Sequence, residues 1–225
     1  SYYFYRVLDF SFKSNDYFEL CILFNFTSAA MIIEPNGIFY SPQIGFDEQS
    51  RGIAEIIFPS NFTINSGESV IIGHRIYSAH PQFGNASFMR LDLPENLVRI
   101  QIGFKTENIE PKLINVSMGE FTFSTVSRYE KYAWNILRLY NGTYWDLVNL
   151  FNVTLTDVKV KFFIPDFNSL FSIGGYVPFT GKTIGDIHIN IFYTRYMEGY
   201  IETIALHELV HHFLWKAGLS PQNFL

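Results

Sequence analysis

The segment His207-Glu208-Leu209-Val210-His211 places two imidazoles and a carboxylate within five residues. Residues four apart share one face of a helix, so both imidazoles can reach one metal ion. Glu208 follows the first histidine at about 100° round the helix. From there it can hold a water against the metal and take its proton. His212 adjoins His211 but lies about 100° away, on Glu208's side, which suits a supporting or surface role better than ligation.

The surroundings are those of a helix. Ile201, Ile204, Ala205, Leu206, Leu209, Val210, Phe213 and Leu214 recur with helical spacing, and Gly218 followed by Pro221 is a stop signal. Upstream, Asp186–Tyr193 reads as a strand and 166–181 as a loop containing Gly174-Gly175. Asp157–Ile164 reads as another strand, ended by Pro165. Before it, Tyr132, Ala133, Ile136, Leu137 and Tyr140 keep a helical period. Asn141-Gly142 is expected to stop that helix, and Thr143 to cap a second one running to Phe151.

Residues 1–125 have a different texture. Short apolar or alternating runs at Leu20–Phe26, Ala30–Ile33, Gly52–Phe58, Val70–Ile72, Leu97–Phe104, Lys112–Val116 and Phe121–Ser124 are separated by turn residues. That spacing predicts antiparallel strands. The expected class is α+β: an N-terminal antiparallel β-sandwich domain over 1–125, then an α+β domain over 126–225.

From about 127 to 218 the chain resembles the zincin metallopeptidases of the gluzincin, thermolysin-like clan. In layout it is most similar to the membrane alanyl aminopeptidase-like branch. The resemblance rests on the pentad His207–His211, preceded by Ser172-Ile-Gly-Gly-Tyr-Val-Pro-Phe-Thr-Gly181 and an edge strand at Asp186–Tyr193. It implies Zn2+ held by His207 and His211, and Glu208 as general base toward a zinc-activated water that hydrolyses a peptide bond. It also implies a substrate cleft lined by Gly174, Gly175 and Tyr176; an ordinary turn between strands reads those glycines equally well.

Two features depart from that pattern. The aminopeptidases carry a glutamate in the Gly-rich segment to hold the substrate's free amine, and 172–181 has no acidic residue. Gluzincins also take a third ligand, a glutamate, from the helix after the pentad, and no Asp or Glu follows His211. The metzincin alternative fails too, because Ala217 stands where its third histidine would be. The zincin-like domain is therefore expected to be incomplete at its C-terminus, to take a ligand from elsewhere, or to be a relic in a protein of other function. His188, on the expected edge strand, is a further candidate ligand, whereas His74 and His80 belong to the β region.

Composition narrows the setting. Hydrophobic residues make up 48% of the 225 and charged residues 16%, with 24 Phe and 14 Tyr. A charge-poor surface needs another source of solubility. Asn-x-Ser/Thr sites occur at Asn25, Asn61, Asn85, Asn115, Asn141 and Asn152, where chance from this composition supplies about two. N-linked glycans on an extracellular or cell-surface protein account for both observations. Cys21 is the only cysteine, so no intramolecular disulfide forms, and its apolar neighbours predict a buried thiol.

The chain begins at Ser1 without a positively charged leader, as after removal of a signal peptide or in a trimmed piece. No basic run suggests nucleic acid, and no apolar stretch is long enough to span a membrane. The leading expectation is a secreted or cell-surface zinc metallopeptidase acting on a peptide or protein. The alternative is a non-enzymatic, glycosylated surface, filament or coat protein with a degenerate zincin-like domain. Its aromatic Tyr2–Phe12 segment would self-associate or pair with a surface-layer partner.

Overall fold

A computed structural model describes residues 19–25, 28–46, 50–64, 69–72, 75–78, 88–93, 98–165, 172–180, 182–195 and 199–219. The Tyr2–Phe12 segment, His74, His80, Asn85 and Gly181 lie outside the described residues. The chain is mixed α+β, with several antiparallel sheets and two α-helices among the described residues.

Among the described residues the first part forms strands: β1 (Ala30–Ile33), β2 (Asn36–Tyr40), β3 (Gly52–Ile57), β4 (Phe62–Thr63), β5 (Ser69–Ile72), β6 (Arg75–Ser78), β7 (Phe88–Leu93) and β8 (Ile100–Thr106). One antiparallel sheet runs β1-β2-β8-β5-β6 with β4 also on β8, while β3 and β7 form a separate antiparallel pair. Both contribute to one apolar core of Phe58, Ile64, Ile72, Met89, Leu93, Val98, Ile100, Ile102 and Phe104. In β3 the alternation is explicit: Ala54 and Ile56 pack against this core and Ile53 and Ile57 face out.

The second part begins with the hairpin β9 (Leu113–Met118) and β10 (Phe121–Val126), followed by a 3-10 turn at Ser127–Tyr129 and helix α1 (Glu130–Phe151). It continues with β11 (Val158–Phe163), β12 (Gly175–Tyr176), β13 (Phe179–Thr180), β14 (Thr183–Ile184) and β15 (Ile187–Asn190). A 3-10 turn at Ile191–Arg195 leads to helix α2 (Tyr200–Lys216). The sheet order is β12-β15-β11-β10-β9. The three central strands run parallel and both edge strands antiparallel. Parallel neighbours need a crossover, and α1 supplies the one from β10 to β11. In β11, Val158, Val160 and Phe162 point into the core under the helices while Lys159 and Lys161 point to the other face.

Several expectations need correction. The β9–β10 hairpin pairs with β11, so the change of sheet falls within 107–112 and not at 125. Helix α1 is continuous. Asn141-Gly142 does not stop it, because Tyr140 and Tyr144 on either side are buried, and that tertiary packing outweighs a weak local break. Thr143 donates to the Leu139 carbonyl at 2.9 Å and is no cap. Residues 19–25 form no strand and Cys21 is exposed, since an apolar run makes a strand only where a neighbour completes its ladder. The strand expected over 186–193 ends at Asn190 and lies inside the sheet, with β12 outside it.

The two parts meet along the β1–β2 hairpin. The Ile32 amide donates to the Tyr129 hydroxyl at 2.8 Å, and Arg128 pairs with Glu34. Arg195 donates to the Tyr40 carbonyl at 3.0 Å and stands over its ring. Among the described residues no helix is long and apolar enough to cross a membrane.

The continuity of α1 makes a direct prediction. A Cβ built at Gly142 meets nothing within 4 Å. Gly142→Ala should therefore stabilise the protein by about 0.5–1 kcal/mol in denaturant unfolding, as Ala does at an exposed helix interior. A loss of stability there would contradict a single helix.

Candidate metal centre

Helix α2 forms because Ile201, Ala205, Leu209 and Phe213, four residues apart, all enter the core. Gly199 starts it with φ at +89°. At its end the Leu219 amide bonds to the Leu214 carbonyl at 2.9 Å and the Gly218 amide to Trp215 at 3.0 Å, with Gly218 at φ +76°. This double bond pattern around a left-handed glycine is a Schellman ending.

The two pentad histidines converge. His207 and His211 bring their Nε2 atoms to 3.2 Å, with ring planes at 86°. Two nitrogens sharing a tetrahedral zinc, each at about 2.0–2.1 Å, stand about 3.3 Å apart. The pair thus has the separation of two ligands on one ion. His207 is exposed and His211 half-buried, so the site opens to solvent. Burial, and then the neighbouring His207, lower the His211 pKa and keep its ring neutral, the form a metal takes.

Glu208 is 5% exposed, and burial pushes its carboxyl up to about 7. It packs under the edge strand β12. A side chain at Gly175 would put its first carbon 2.7 Å from Glu208 Cγ and 2.9 Å from both Glu208 Oε1 and the His188 carbonyl. One at Gly174 would meet Ile204 at 3.0 Å. The glycine pair is therefore more than a turn: its missing side chains let the edge strand lie against the helix beside Glu208. Tyr176 points to the opposite face, where it stacks on His188 at 4.4 Å between centroids.

Of the other histidines, His188 and His212 are described, and neither completes a metal group with this pair. His188 lies on that opposite face of the sheet, beside Tyr176 and Phe163, and burial lowers its pKa. His212 is buried near Gly185, and burial takes its pKa down to about 4. A surface role for His212 is thereby corrected: the ring is buried beside the segment leading into β15. There Asp186 accepts from Lys161 at 3.1 Å.

Two positioning residues escaped the sequence reading. Tyr140 of α1 is fully buried and donates to the Ala205 carbonyl at 2.6 Å, two residues before the pentad. Its own pKa is raised well above normal, first by burial and then by the Glu208 charge. Asn190, also fully buried, donates its side-chain amide to the Ile173 carbonyl at 2.7 Å and accepts from the Phe192 amide at 2.9 Å. It thereby holds the start of the edge strand to β15. The one sequence signal was a lone Asn inside the apolar run Ile187–Phe192.

Of the sequon asparagines, Asn25, Asn61, Asn115, Asn141 and Asn152 are all exposed. Among the described residues no group of three His, Cys, Asp or Glu side chains forms a complete metal cage. His207 and His211 fit a zinc ion as two of its ligands by spacing and donor type. A search against protein-family models finds no match for this chain, and neither does a search of curated proteins.

Proposed function

We propose that this chain carries part of the active site of a secreted or cell-surface zinc metallopeptidase of gluzincin type, built from a zincin-like domain behind a β-sandwich. The observation that carries the reading is the convergence of the His207 and His211 Nε2 atoms at 3.2 Å beside a buried Glu208. The parallel sheet with its antiparallel edge strand next to the pentad helix supports it.

His207 and His211 would hold the zinc, with a third ligand from outside the described residues. When bound, the ion supplies Lewis acidity toward a peptide carbonyl and toward water. Glu208 takes the proton of the attacking water. A carboxylate so placed can accept that proton and pass it to the leaving amine. Gly174 and Gly175 keep the edge strand against Glu208, so that a peptide beside the strand lies within reach of the base. The uncharged segment 172–180 offers nothing for a free amine, so exopeptidase specificity is not part of the proposal.

Five exposed sequons support a glycosylated, exported protein. Glycopeptide mass spectrometry of natively produced protein should find sugar on several of them; unmodified peptides at every site would remove that element. The enzymatic reading is tested by peptide cleavage with a Glu208→Gln control. Failure of both proteins to cleave in the presence of zinc would leave the non-enzymatic surface glycoprotein as the better description.

A further inference from the structure

Trp145 lies on the outer side of α1. Its indole is 66% exposed, and of the described aromatic rings only Phe24 is more so. It meets the buried Tyr144 edge-on, at 5.3 Å between centroids, and is otherwise open to solvent. The core does not need it, since α1 is seated by Ala133, Ile136, Leu137, Tyr140 and Tyr144.

Asn141, of the sequon Asn141-Gly142-Thr143, stands four residues earlier on the same face. Helical side chains lean toward the N-terminus, so the indole of Trp145 lies over the turn that carries Asn141. That asparagine is exposed and has room around it. Its Oδ1 is turned to the β9–β10 turn, where a Cβ at Gly119 would stand 2.8 Å away, so the other branch of the carboxamide, Nδ2, is left for a sugar. A Cβ at the adjacent Gly142 meets nothing within 4 Å. Asn152, of another sequon, shares the stripe but lies two turns beyond Trp145, on the side from which the indole leans away.

Within the glycoprotein reading, on which this inference rests, we propose that Trp145 is the stacking platform for the first sugars of an N-linked glycan on Asn141. One face of a pyranose ring is a layer of C–H bonds. It loses water against the indole, while the sugar hydroxyls stay hydrated. The covalent link makes the contact intramolecular, so a weak stack is well populated. A protein partner fits less well, because one ring on a stripe of asparagines falls far short of the apolar centre of an interface.

The test is a double-mutant cycle run with and without sugar. The parent, Asn141→Gln, Trp145→Ala and the double variant are made in a host that N-glycosylates exported proteins, and again in one that does not. Both side chains are exposed, so all four proteins should fold. Glycopeptide mass spectrometry reads occupancy at Asn141. In the glycosylated set, Asn141→Gln should lower the folding equilibrium constant in urea about two- to tenfold more when Trp145 is present than when it is Ala. The unglycosylated set should show no such coupling, and loss of the Asn152 glycan through Thr154→Ala should show none to Trp145. Coupling below about twofold, equal coupling without sugar or to the Asn152 glycan, or an Asn141 that carries no sugar would overturn the inference. If Asn141 is bare while other sequons are occupied, the glycoprotein reading stands and the platform fails; if none is occupied, both fail.

Discussion

Glu208→Gln should lower peptide cleavage by a factor of about 10² to 10⁴, the usual contribution of a positioned general base. The amide keeps the shape of the carboxylate and its place under Gly175, but it cannot take a proton. The same substitution should have the opposite effect on stability. Burial raises the Glu208 carboxyl from 4.5 to about 7 in the metal-free protein. The folded state therefore binds this proton more tightly than the unfolded state. Stability is full below pH 4.5 and declines as pH rises through the interval to about 7. At pH 8 the ionised, buried group costs about 3 kcal/mol, and Gln removes that cost. Metal-free Glu208→Gln should be the more stable protein in urea at pH 8 and indistinguishable from the parent at pH 4. A variant that is less stable at pH 8, or that cleaves at the parent rate, would refute the role assigned to this residue. Bound zinc favours the carboxylate, so loading should shrink the difference.

Tyr140→Ala should cost about 3–5 kcal/mol, as truncation of a large buried ring does. Tyr140 is fully buried against Phe121, at 5.1 Å between centroids, and its hydroxyl reaches the Ala205 carbonyl. Tyr140→Phe keeps the ring and loses only that bond, for about 1 kcal/mol. The pair separates packing from positioning. If the hydroxyl sets where α2 sits, Tyr140→Phe should weaken zinc binding while leaving most of the stability in place. Denaturant unfolding and a zinc titration on both variants read the two quantities. Equal zinc affinity in Tyr140→Phe and the parent would leave Tyr140 a core residue with no hold on the site.

What the sequence disclosed follows from how local each feature is. The pentad helix was legible because its apolar stripe and its stop at Gly218 are both contained in the segment itself. Strands β1, β3, β9 and β10 were legible from alternation, yet their partners were not. That β9 and β10 join β11 depends on a crossover through α1, which no local pattern encodes. Asn141-Gly142 misled because a glycine in a helix costs only about 1 kcal/mol, less than the packing of Tyr140 and Tyr144 on either side returns. Leu20–Phe26 misled in the other direction, having strand composition but forming no strand over its described residues 20–25. In the candidate site, the proposed ligands and base came from the pentad's spacing and the family it resembles. The function of Gly175 and the buried anchors Tyr140 and Asn190 depend on contacts between elements distant in sequence. His212 looked peripheral because a helical wheel shows the angle of a side chain and not what packs over it.

The most direct measurement is a zinc titration of the chain followed through the ¹⁵N signals of its histidine rings. His207 and His211 are placed to share one ion through their Nε2 atoms, 3.2 Å apart. Both Nε2 signals should move together in a single saturable step at one zinc per chain, with His188 and His212 unaffected. His207→Ala or His211→Ala should abolish the step. Binding that proceeds through His188, that engages only one of the pentad histidines, or that survives either substitution would contradict a shared metal centre on α2.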